Sequence, residues 1–220
     1  MPGKIGILLS GLGFEDGTEV LELPFIYREI EKLGGIPVCI IPTDITPEPG
    51  RGRKIKQRDL FEECAPIIRG ESTAIDKIEP RELRALIIPG GKGPITNLSN
   101  IEAAGGDGRI IRQVQDLIIG VHLRKIPIGT IGYGGALVML ALKRIDNEPI
   151  ITIGEDAVLT ASLSSLGIAP VHVSPQEVIF DTENIIFSTA GISQGNPITK
   201  PSEGIERLIQ GVLEHKSKKK

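Results

Sequence analysis

Short runs rich in Ile and Val recur along this chain, at Lys4 to Ser10, Ile36 to Ile41, Leu86 to Pro89, Ile126 to Gly132, Ile150 to Ile153 and Ile185 to Ser188. Helical patterns separate most of them: Glu19 to Leu33, Arg109 to Leu123, Ala136 to Lys143 and Glu203 to His215. Strands that are apolar on both faces need cover on both faces, and helices in alternation supply it. The pattern predicts a doubly wound α/β fold, a mostly parallel sheet with helices on either side. At 220 residues and 40% hydrophobic content, the chain can bury a core without disulfides or metal. We expect a single domain over residues 1–215 and a flexible basic tail at 216–220. The Pro- and Gly-rich stretch 43–56 reads as an irregular insertion. A second insertion is expected at 171–184, with a short strand from Val178 to Phe180.

Composition narrows the function. A net charge of -3 leaves no electrostatic footprint for nucleic acid, since the dense basic run is confined to the terminal Lys216 to Lys220. Aromatic residues make up 3% and Trp is absent, which predicts a small polar ligand rather than a stacked base. No segment approaches the roughly 20 apolar residues that span a bilayer, so no membrane partner is expected. Cys39 and Cys64 lack disulfide or metal spacing, which implies a reducing compartment. The N-terminus enters a strand at once, and cytosol is the expected location. His122, His172 and His215 are far apart without metal-ligand spacing, so neither a metal nor a cofactor is expected. His172 alone, beside the second insertion, is placed to approach a site.

Ligands of such sheets gather at the carboxyl ends of the strands, so the loops there carry the candidate chemistry. The first, Ser10 to Thr18, has Gly11 and Gly13 between strand and helix, as in a dinucleotide fingerprint. The third glycine is replaced by Asp16, which competes with a pyrophosphate for the same amides and reads better as a cap. Glu22 follows. Its spacing alone suits a solvated surface residue, whereas a crevice position would make it a general acid or base.

The second loop, Ile87 to Ser99, contains Gly90, Gly91 and Lys92. Its glycines suit an anion nest or oxyanion hole with Lys92 adding charge, or else a structural turn capped by Asn97 or Ser99. The third loop has the layout of a nucleophile elbow, an apolar strand turning through small residues into an apolar helix, with Thr130 and Gly134 flanking the central position. That position is Gly132, which has no side chain to attack with. A close strand-helix crossing explains the glycines equally. Tyr133 follows, a possible acid or base but a poor nucleophile near neutrality.

Taken together, these loops resemble the ThiJ/PfpI superfamily, whose flavodoxin-like fold is that of class I glutamine amidotransferases, and within it the ElbB branch that includes the ES-one proteins. Ile7 to Glu19 is similar to the branch's opening "LSGxGxxDGxE". Ile88-Pro-Gly-Gly-Lys-Gly with Asn97-Leu-Ser99 is similar to its "PGGxGxxxNLS". Ile68 to Glu71 and Ile151 to Gly154 match two further motifs. The resemblance implies a glyoxalase- or deglycase-type scaffold for small reactive carbonyls or anions, and a homodimer. It places the site glutamate at Glu22, the binding amides at Gly90, Gly91 and Gly134 beside Lys92, and the elbow cysteine at Gly132. Where the branch usually has "CIAP", this chain has Gly132 to Gly135, with Tyr133 next to the missing thiol. The resemblance therefore implies thiol-dependent activity that is weak, altered or absent. Two readings stay open beside it: a non-catalytic ligand-binding or assembly homologue, and a lyase or hydratase using Glu22 with Tyr133 or water.

Overall fold

The computed structural model describes residues 3–43, 59–193 and 197–215. The expected insertion at 43–56, apart from Thr43, and the basic tail at 216–220 lie outside the described residues. The chain order is β1 (Lys4–Leu8), α1 (Leu23–Lys32), β2 (Ile36–Ile41), α2 (Leu60–Cys64), β3 (Glu71–Ala74), β4 (Leu83–Ile88), α3 (Gly93–Thr96) and α4 (Ile101–Ala104). It continues through α5 (Arg112–Leu123), β5 (Ile128–Ile131), α6 (Gly134–Lys143), α7 (Ala157–Ser165), β6 (Ile179–Asp181), β7 (Ile186–Thr189) and α8 (Thr199–Glu214).

The strands form one seven-stranded sheet in the order β3-β2-β1-β4-β5-β7-β6. All pairs are parallel except β6 with β7, which is antiparallel. The strand pleat sends alternate side chains to opposite faces. Ile5 and Ile7 of β1 therefore join Ile26 and Ile30 of α1 and Leu208 of α8 in one core, and Leu8 joins Leu137 of α6 and Val114 of α5 in the other. Helix α6 is buried from Gly134 to Leu142, as expected of a helix apolar on every side. Strand order reverses between β1 and β4. The loops leaving those two strands consequently part to opposite sides of the sheet and leave a crevice at their carboxyl ends.

Three elements differ from the sequence expectation. Ile150 to Ile153 is not a strand: Thr152 makes one isolated bridge to Val171, while Ile151 and Ile153 bury their side chains in the α6 core. β7 has taken the place beside β5, and the edge beyond it belongs to β6, within the second insertion. β3 is a polar Glu-Ser-Thr-Ala strand that apolar patterning could not mark; as an edge strand it pairs on one side only and is tied down by Lys4–Glu71 at 2.9 Å. Helix α7 was not anticipated, although Asp156 is its N-cap, accepting the Leu159 amide at 2.8 Å.

Candidate functional site

The loop after β1 is pinned before it reaches its helix. Thr18 donates to the Gly11 carbonyl at 2.9 Å and Gly13 to the Thr18 carbonyl at 3.0 Å, closing a small hairpin. Asn97 then clamps it to the loop after β4, its Nδ2 donating to the carbonyls of Ser10 at 2.7 Å and Asp16 at 2.8 Å. The Lys92 and Gly93 amides donate to Phe14 and Gly17 carbonyls at 2.7 and 2.8 Å. The amide of Gly13 is thus spent within the hairpin, and the region is a structural turn rather than a dinucleotide cradle.

This clamp determines where Glu22 lands. Helix α1 starts at Leu23 rather than at Glu19, with Pro24 in its first turn, where a missing N–H costs nothing. Glu22 stands at the N-cap, and its carboxyl turns inward. It is 1% exposed, which corrects the surface position that spacing alone suggested. Gly90 donates to Oε2 at 2.7 Å and Ile192 donates to Oε1 at 3.0 Å. Both bonds favour the ionised form, and burial outweighs them: desolvation, reinforced by the nearby charge of Glu19, lifts the Glu22 pKa from 4.5 to about 8. At neutral pH this side chain is mostly the protonated acid.

The carboxyl is walled by backbone. A methyl group on Gly90 would stand 3.0 Å from Glu22 Oε1, and one on Gly191 would overlap that oxygen at 2.7 Å while lying 3.3 Å from the Gly132 amide. Gly191 thus sits against both the Glu22 carboxyl and the Gly132 amide, with no room for a side chain between them. Gly132 joins β5 to α6 with φ +49°, in the left-handed region that a nucleophile elbow requires. A Cβ there would meet the Ala190 carbonyl oxygen at 3.1 Å and otherwise only Gly90 Cα at 3.9 Å, so a side chain at this position points into near-open space.

Glu22, Gly90, Gly91, Gly132 and Tyr133 line one cleft of about 40 Å³, room for on the order of three waters. Phe14, the Ile153 to Glu155 segment and Ala190, Ile192 and Ser193 complete it. No cysteine lines it; Cys39 and Cys64 are buried in the α1 core. The amides of Gly91 and Tyr133 make no hydrogen bond among the described residues. They are free to hold a carbonyl oxygen, whereas the Gly90 amide already serves Glu22.

Other expected site residues fall elsewhere. Lys92 is not in the lining and pairs with Glu15 at 3.2 Å. Gly134 is a packing glycine; a Cβ would strike the Ile88 carbonyl oxygen at 2.4 Å. Gly91 does line the cleft and is obligatory for a second reason, since a Cβ would collide with the Gly17 carbonyl at 2.3 Å. Tyr133 lines the cleft, but its hydroxyl donates to Asp156 Oδ2 at 2.7 Å; burial and that acceptor raise its pKa, so it is no base near neutrality. His172 is exposed and outside the cleft. The Ala190 to Ser193 loop was missed, although it follows β7 and so obeys the carboxyl-end rule. Its Ala-Gly-Ile-Ser sequence carries no ionisable group to draw attention.

No family model matches the chain. It is 25% identical to the mitochondrial ES1 protein homolog of Rattus norvegicus over 226 aligned residues, covering 96% of this chain and 83% of that one. It is 24% identical to the human mitochondrial glutamine amidotransferase-like class 1 domain-containing protein 3, covering 96% and 82%. Among solved structures, an Ehrlichia chaffeensis isoprenoid biosynthesis protein with an amidotransferase-like domain superposes with TM-score 0.82 at 24% identity, covering 96% and 98%. A ThiJ/PfpI domain protein of Brachyspira murdochii shares the fold at TM-score 0.54 and 13% identity, covering 96% and 93%. The chain is thus similar over nearly its whole length to ES1 and glutamine amidotransferase-like proteins, and it shares the fold of ThiJ/PfpI proteins. Its homologues carry the ES1 and amidotransferase-like names, in keeping with the branch that the opening and glycine-loop motifs resemble. Both curated relatives are mitochondrial, which overturns the cytosolic placement expected from cysteine usage and the N-terminal strand.

Proposed function

We propose that this chain is an ElbB-like member of the superfamily whose cleft handles small reactive carbonyls by proton transfer at Glu22, with the elbow thiol given up. The observation that carries the reading is the juxtaposition of a buried, protonated carboxyl with a left-handed elbow that bears no side chain. A carbonyl oxygen held by the Gly91 and Tyr133 amides would lie within the cleft that Glu22 lines, and the acid can deliver a proton there and recover it. One positioned acid-base group is worth about a hundred- to ten-thousand-fold. Without sulfur no hemithioacetal forms on the protein, so the covalent route is closed. Glyoxalase- or deglycase-type turnover is therefore slow, and a hydratase or isomerase step through a water takes its place; Tyr133 is not the partner, being bound to Asp156.

The test is consumption of methylglyoxal by purified protein, compared with Glu22→Gln and Gly132→Cys variants. Slow turnover that disappears in the first variant and rises in the second supports the proposal. Turnover insensitive to Glu22→Gln removes it. The cleft's small volume, about 40 Å³, suits a second reading better than turnover of a large substrate, namely a non-catalytic ligand-binding or assembly homologue. Sedimentation as a monomer, with no stabilisation by any member of a metabolite panel, counts against that one.

A further inference from the structure

We propose that Glu155 is a specificity-determining residue that makes this cleft reject carboxylate-bearing carbonyl compounds in favour of uncharged ones. The inference rests on the carbonyl-handling reading above and adds the charge of the ligand. The carboxyl side chains lining the cleft are Glu22, which is protonated near neutrality, and Glu155; no Lys, Arg or His lines it among the described residues. The neighbouring cation, Lys92, is outside the lining and held by Glu15. Asp156, next in sequence, has both oxygens engaged, by the Leu159 amide and by Tyr133.

The backbone reinforces this polarity. The Ala190 carbonyl oxygen lies 3.1 Å from the Cβ position of Gly132 and 2.9 Å from that of Gly154, so it projects into the gap between two glycine turns. It accepts no hydrogen bond among the described residues. A carboxylate entering beside Gly132 would face this lone pair and the Glu155 charge with no cation to offset either. A hydroxymethyl group at the same place meets neither penalty, because its hydroxyl would donate to the Ala190 oxygen, and an aldehyde, being uncharged, escapes the Glu155 repulsion. Glu155 is exposed, so its influence is moderate and screened by salt.

Hydroxyacetone, methylglyoxal and pyruvate share one three-carbon skeleton and differ at the terminal carbon, which makes them matched probes. Binding is read by ligand-observed NMR and by the carboxyl carbon resonance of Glu22. The two neutral compounds bind at least about fivefold more tightly than pyruvate, and Glu155→Gln narrows the gap by about two- to fivefold, the range of one exposed charge. High salt narrows it similarly in the unmodified protein alone. Pyruvate binding as tightly as hydroxyacetone, or an unchanged gap in Glu155→Gln, overturns the proposal.

If no carbonyl compound binds, the carbonyl-handling reading fails and the charge filter is judged by ions. Methylammonium should then lower the Glu22 titration midpoint while formate leaves it in place. A midpoint raised by formate, or moved by neither ion, overturns the filter as well. Glu155→Lys, which reverses the charge at the same exposed position, provides a second variant and should bring pyruvate to at least parity.

Discussion

The Gly90 amide donates to Glu22 Oε2 at 2.7 Å, and this bond joins the loop leaving β1 to the loop leaving β4 across the point where strand order reverses. The glycine loop expected to cradle an external anion has instead turned one of its amides to the protein's own carboxyl. What the crevice offers a ligand is therefore an acid and the remaining amides.

The first prediction concerns pH. Glu22 titrates near 8 in the folded protein and near 4.5 when exposed on unfolding. Between those values the unfolded chain has released a proton that the native state still holds, so stability falls as pH rises, by up to about 1.4 kcal/mol per pH unit. Glu22→Gln lacks this proton. At pH 5 the variant should be the less stable, by about 1–3 kcal/mol, because its NH2 faces the Gly90 or Ile192 amide. By pH 8.5 the gap should close or reverse. Urea titrations at three pH values measure this, and a gap that stays constant refutes the assignment.

Restoring a thiol is sterically feasible. Gly132→Cys must place an L-residue at φ +49° and press its Cβ to 3.1 Å from the Ala190 oxygen. The strain should cost about 1–3 kcal/mol. The new thiol should react with iodoacetamide in the folded protein, whereas Cys39 and Cys64, both buried, should not. Mass spectrometry of briefly alkylated protein distinguishes them; labelling confined to the two native cysteines would show that position 132 does not open into the cleft.

Gly191→Ala should be among the most damaging single changes near the site. The added methyl overlaps Glu22 Oε1 at 2.7 Å, and the backbone sits at φ +77°. We expect a loss of about 2–4 kcal/mol, with a displaced Glu22 midpoint. Thermal unfolding that matches the parent within about 0.5 kcal/mol would contradict the packing described.

Tyr133→Phe removes a hydroxyl that already has a partner in Asp156. Stability should drop by about 1 kcal/mol, while the pH profile of any carbonyl turnover below pH 9 keeps its shape. A lost basic limb in that profile would restore Tyr133 as a proton-transfer group.

Much of the fold was legible because burial on both faces makes a parallel strand apolar throughout. β2 agrees with its expected bounds, and β1, β4, β5 and β7 lie within a few residues of theirs. The polar edge strand β3 left no such mark, since a strand paired on one side needs no apolar run. Ile150 to Ile153 left a false one, because apolar residues are buried equally well in an extended connection.

At the site, the sequence by itself determined the absence of a side chain at position 132 and the glycines at 90 and 91, as well as the presence of a carboxyl at position 22. It did not determine that this carboxyl is buried. Local spacing put Glu22 on the surface, and only the clamp of Asn97, with the Gly90 and Ile192 amides some 70 and 170 positions away in the chain, turns it inward. Burial and proton affinity depend on what surrounds a group in space, and those neighbours arrive from the ends of two other strands, β4 and β7. That is why tertiary structure alone could decide that Glu22 is an acid at neutral pH.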